Sequence, residues 1–229
     1  LTFRLQYQSH ALSGLRNALG DINGDNCSPV LFASILISAC VTVSPLLPAG
    51  VDDATQSAAE AFLPLPDYLN AVSTIKETTL PWLATTSIND YLDEDFKEKD
   101  VHRPLLVAEL RRLNEALTPP GKQGMLNDAI NSLEVTSQKE APTSSWLVDA
   151  GPDFLDELRR RGSVALAVYM HWGTLLDHMQ GIWWAKFSGK RLVEELSTAL
   201  RSEGPEWTHI TTWCRERVGL PSFQEGPVP

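Results

Sequence analysis

The chain has 229 residues, of which 43% are hydrophobic and 21% charged, with a net charge of -10 and a pI of about 4.9. Such usage is ordinary for a globular protein and excludes a disordered tail, and the length suffices to bury a real core. The acidic balance repels duplex nucleic acid and anionic membrane, so this segment is not expected to grip DNA.

Periodicity predicts a first helix over Phe3–Leu19, with Leu12, Leu15 and Leu19 on one stripe. Gly20 to Asn26 is a turn cluster. Ser28-Pro29 then reads as an N-cap followed by proline at the first helical position. The helix that follows, 29–43, is the longest apolar run. Ser34, Ser38 and Thr42 interrupt it, and it is too short to span a bilayer comfortably. A helix apolar all round is expected at the centre of the core, with helices from both halves of the chain around it. Cys40 is expected there as a small core residue. Residues 45–66 read as a long connection with a short helix near Ala54–Phe62, followed by helices over Asp67–Thr78 and Pro81–Tyr91. The acidic patch inside 91–102 reads as a solvated loop.

Arg103-Pro104 opens an amphipathic helix with Leu106, Leu110, Leu113 and Leu117 on its stripe, and Pro119-Pro120-Gly121 closes it. Helices are expected over Gly124–Ser137 and Pro152–Arg161. Asp153 suits the first turn of the latter and Arg159 to Arg161 its end. The segment Gly162–Phe187 repeats Ala165, Val168, Trp172, Leu175, Met179 and Trp183 at three- and four-residue steps. Lys190–Leu200 and Pro205–Val218 complete the chain's helices. No segment has the period-two pattern of a strand. The expected fold is all-α: a single multi-helix domain over 1–229, packed around the apolar helix and holding a hydrophobic ligand cavity.

Chemical motifs are scarce. The dinucleotide and phosphate glycine loops, the His-Glu-x-x-His zinc pattern and the serine elbow are absent. The three cysteines, Cys27, Cys40 and Cys214, have no metal-knuckle spacing and do not suit a disulfide-stapled secreted domain. No signal-peptide pattern opens the chain. It begins at Leu1 rather than Met, as an excerpt would. No metal and no cofactor is expected. His171, Asp177 and His178 are the nearest approach to a polar constellation. The two histidines are two turns apart, too far to bind one metal without help from another helix. As acid–base candidates the three residues are unspecific. Five of the seven tryptophans follow residue 171, where they serve either as core packing or as walls of an apolar cavity.

The run Ala165-Leu166-Ala167-Val168-Tyr169, then Trp172-Gly173-Thr174-Leu175-Leu176, the pair Trp183-Trp184, Leu192-Val193, and Trp213 with Val218-Gly219-Leu220 resembles the C-terminal regulatory domain of fungal zinc binuclear cluster transcription factors of the sterol-uptake-control type. The opening segments are compatible with it. The resemblance implies an all-α ligand-binding domain with a deep pocket for a sterol, intracellular in cytoplasm or nucleus. It also implies a switch in which ligand retains the protein in the cytosol and ligand loss releases it to activate genes, and a homodimer. The six-cysteine zinc cluster is absent from these residues, Cys214 stands where relatives carry proline, and residues 91–145 match nothing in the pattern.

Three readings follow. The first is a sterol- or lipid-sensing regulatory domain. Its candidate pocket residues are Phe32, Leu36, Ala39, Cys40, Trp172, Leu175, Leu176, Met179 and Trp183. The second is a stand-alone biosynthetic enzyme, a cyclase or pericyclase of a terpenoid or polyketide. It would reuse the same cavity, with His171, Asp177 or His178 moving a proton and tryptophan faces steadying a cation. The third is a helical interaction domain whose interior is filled by its own side chains.

Overall fold

The computed structural model describes residues 2–46, 57–83, 105–138, 143–179 and 183–223, and all regular structure in them is helical. The expected end of the 81–91 helix, the 91–102 loop and most of the connection after residue 46 lie outside the described residues. No described helix is long and apolar enough to cross a membrane. The chain divides into two compact units, Leu1–Lys97 and Glu98–Pro229.

The first unit contains α1 (Thr2–Leu19), α2 (Cys27–Val43), the short α3 (Ala58–Phe62) and α4 (Leu65–Leu83). Asparagine side chains shape the turn before α2: Asn23 N–H donates to Asn26 Oδ1 at 2.8 Å, and the Asn26 amide donates to Asp21 O at 2.7 Å. Helix α2 starts at Cys27, two residues before the expected Pro29, with Asn26 rather than Ser28 at the cap position. Its inner stripe, Cys27, Val30, Leu31 and Ser34, has helical spacing. Cys27 and Leu31 form a small core with Leu83, flanked by Ile22, Ile35, Val72, Ile75 and Trp82. Proline was expected to divide α4. The helix instead runs on to Leu83 with Pro81 in its final turn, where a missing N–H costs one bond near an end that frays anyway.

Helix α2 is not the all-buried centre that its composition predicts. Leu36 is 62% exposed, and Cys40 is exposed rather than in the core. The hydroxyls on this uncharged helix bond back to carbonyls of their own turn: Ser34 to Leu31, Ser38 to Ser34 and Thr42 to Ser38, at 2.7–2.9 Å.

The second unit contains α5 (Val107–Leu117), α6 (Pro120–Gln138), α7 (Trp146–Asp149), α8 (Pro152–Arg159), α9 (Ser163–Asp177), α10 (Trp183–Arg201) and α11 (Thr208–Arg217). Helix α9 fills the central role: every residue from Val164 to Leu176 is buried. Helices α5, α6, α10 and α11 pack on it. Its crossing with α10 is set by glycine. A Cβ at Gly189 would lie 2.5 Å from Gly173 O and 2.6 Å from Asp177 N, so only glycine permits this approach. The buried Asn114 joins α5 to α6 by donating to Gln123 O and Asn127 Oδ1, each at 3.0 Å. Past the end of α11, Gly219 turns the chain with φ of 66°. There Leu220 N–H reaches Arg215 O at 2.9 Å and Gly219 N–H reaches Glu216 O at 3.1 Å, a Schellman ending.

Candidate functional site

Three features of the second unit hold its chemistry. The first is an aromatic cluster along α9. Trp146 meets the Phe154 ring edge-on, with centroids 5.4 Å apart, and lies 5.9 Å from Trp172. Tyr169 stacks on Trp172 at 5.6 Å. The Trp172 indole N–H donates to Thr143 O at 2.7 Å, whereas the Trp146 indole N–H is buried with no hydrogen-bond partner among the described residues. The pocket candidates Trp172, Leu175, Leu176 and Met179 are all buried, the first three on α9 and Met179 two residues past its end. These side chains fill the space between the helices themselves. Phe32 and Ala39, half-buried, and the exposed Leu36 and Cys40 belong to α2 in the first unit. The Trp183 side chain lies outside the described residues.

The second feature is a histidine–cysteine pair. His171, fully buried, has Nδ1 2.8 Å from Ala167 O. A carbonyl only accepts, so the ring proton sits on Nδ1 and Nε2 is left with its lone pair. Cys214 Sγ of α11 lies 3.7 Å from Nδ1 and 3.9 Å from Nε2. The Trp213 ring stacks on the imidazole at 5.4 Å, and the Arg217 guanidinium lies 5.5 Å from the centroid of that indole. Burial lowers the His171 pKa to about 4, with the Ala167 hydrogen bond opposing it, and burial pushes the Cys214 thiol up. Both groups are therefore neutral at pH 7, the reverse of the thiolate–imidazolium state that a nucleophilic cysteine needs. His178 is held separately, its Nδ1 2.7 Å from Thr174 O. Asp177 is half-buried at the last residue of α9. Each histidine is thus tied to a carbonyl of its own helix. Among the described residues no group of three His, Cys, Asp or Glu side chains is placed to hold a metal ion.

The third feature is an open recess of about 330 Å³ at the N-terminal end of α9. Leu126, Val164, Ala165 and Trp207 give it an apolar floor, and Glu203 and Glu206 stand at its edge. At its inner end Glu157 forms an ion pair with Lys122 at 2.7 Å and lies 3.8 Å from Arg160. A Cβ on Gly162 would lie 2.5 Å from Glu157 Oε1, so glycine lets this carboxylate lie against the start of α9. Of the expected stripe only Ala165 lines the recess, and none of the pocket candidates Trp172, Leu175, Leu176 and Met179 does.

Sequence reasoning missed both the pair and the recess. His171 and Cys214 are 43 residues apart, and only the α9–α11 packing brings them together. The recess is built from helix ends, whose sequence signals were Gly162 before α9 and Gly204-Pro205 before α11. No protein-family model, curated protein or solved structure matches this chain.

Proposed function

We propose that this chain is a binding domain that regulates rather than catalyses: the sensing half of a fungal transcription regulator of the zinc-cluster kind. It would respond to a sterol or similar lipid held against α9, act between cytoplasm and nucleus, and work as a homodimer. The resemblance supplies the ligand class and the switch. One observation of the interior carries the reading: the Trp146 indole N–H, buried in the aromatic cluster without an acceptor among the described residues. An unmet buried donor is costly, and a single hydroxyl on an apolar ligand is the group that would meet it. A ligand there needs Trp172 and its neighbours to give way, and Met179 at the end of the stripe is the side chain best able to adapt.

The neutral, indole-covered His171–Cys214 pair supports binding over proton transfer or nucleophilic attack at that point. The filled cluster also favours a second reading, a partner-binding domain with no internal ligand. A reporter assay separates the two. The chain is fused to an unrelated DNA-binding domain, and transcription is measured in cells with normal and depleted sterol. The proposal expects activation on depletion, weakened when Trp146→Phe removes the donor. Output indifferent to sterol in every background would rule the lipid reading out.

A further inference from the structure

We propose that the recess at the start of α9 is a docking site for a basic segment of a partner protein, taking one arginine side chain between Glu203 and Glu206. Charge and shape within the second unit point to this site independently of the lipid reading. At the inner end the charges are already matched: Glu157 is paired with Lys122 and has Arg160 nearby, and the N-terminus of α9 adds its partial positive charge. The outer edge is not matched. Neither Glu203 nor Glu206 has an ion pair among the described residues, and both are exposed. Glu203 also follows the last turn of the 19-residue α10, with its N–H on Leu200 O. Its charge there adds to the negative end of the helix instead of opposing it.

A cation at that edge relieves both carboxylates, and an apolar stem behind it can lie on Leu126, Val164 and Trp207. Arginine combines these two parts in one side chain. A volume of about 330 Å³ is at the small end for a buried ligand and suits one long side chain.

The test uses fluorescence polarisation of three labelled twelve-residue peptides in which leucine alternates with arginine, glutamine or glutamate. Because the whole chain is acidic, a basic peptide could be held anywhere on it. Two double variants therefore separate site from background: Glu203→Gln with Glu206→Gln at the recess, and Asp149→Asn with Asp153→Asn at exposed positions that do not line it. The inference expects saturable, salt-sensitive binding of the arginine peptide alone. The recess variant should weaken it roughly two- to thirtyfold, the range for two exposed charge contacts, and clearly more than the control variant, which removes the same net charge elsewhere. In an NMR titration the Trp207 indole N–H should shift. The inference is overturned if no peptide binds, if both double variants weaken binding equally, or if the Trp207 resonance stays fixed while binding saturates. Sterol response in the reporter assay is read independently, so either proposal can fail without the other.

Discussion

Replacing His171 by glutamine should flatten the dependence of stability on acid. In the native protein the imidazole is buried and its pKa falls from 6.5 to about 4. In the unfolded chain it returns to its ordinary value, so between these two pH values the unfolded state binds the extra proton. Stability from this residue is therefore complete above pH 6.5 and is lost as pH falls toward 4. At 1.36 kcal/mol per pH unit the full loss is about 3 kcal/mol, with about 2 kcal/mol already gone at pH 5. Glutamine keeps an N–H for the Ala167 carbonyl and has no charge to gain. Urea unfolding at pH 7, 6, 5 and 4.5, compared between wild type and His171→Gln, isolates the residue because the carboxylates titrate alike in both. The wild type should lose about 2 kcal/mol more than the variant between pH 7 and 5. Parallel curves would mean that the imidazole reaches water in the native state, and the account of a sealed His171–Cys214 pair would fall with them.

Other predictions follow from the packing. Gly189→Ala should force α9 and α10 apart, because its Cβ would meet main-chain atoms that cannot rotate away; a loss of roughly 1–3 kcal/mol in urea unfolding is expected. Trp172→Ala removes a fully buried ring and the Thr143 hydrogen bond, so the same measurement should show a loss of about 3–5 kcal/mol. Of the three thiols only Cys40 is exposed. A thiol reagent at neutral pH should titrate one group in the native chain and all three after denaturation.

Much of the fold was legible because it depends on local spacing. The buried run of α9, the charges at the ends of α8, Asp153 in its first turn and Arg159 in its last, and the stop of α5 before Pro119 all follow from a single turn or two of chain; Pro120, read as part of that stop, instead opens α6 four residues before the expected Gly124. The error over α2 was one of inference from composition. An uncharged helix looks central, yet its buried side is chiefly Cys27, Val30, Leu31 and Ser34, and Leu36 and Cys40 are left outside. The burial of α9, in contrast, follows from having no charged residue before Asp177 and from Gly173, which admits Gly189 of α10. That second partner could not be picked out before the two helices were paired. The candidate site was less legible still. His171 stood out by residue type, but its neutrality is a property of what covers it, Trp213 and Cys214 from a distant helix. The recess is made where four helices end, and end-to-end placement has no period to read.

The central claim, that α9 is the seat of a hydrophobic ligand, is tested most directly by equilibrium binding of a fluorescent sterol to the purified chain, wild type against Trp146→Phe. The account predicts saturable one-site binding by the wild type. It predicts a loss of about 1–2 kcal/mol, five- to thirtyfold in Kd, when the indole donor is removed, and no such loss for an analogue lacking the hydroxyl. Absence of saturable binding for any sterol or lipid, or equal affinity of wild type and variant for the hydroxylated ligand, would contradict it.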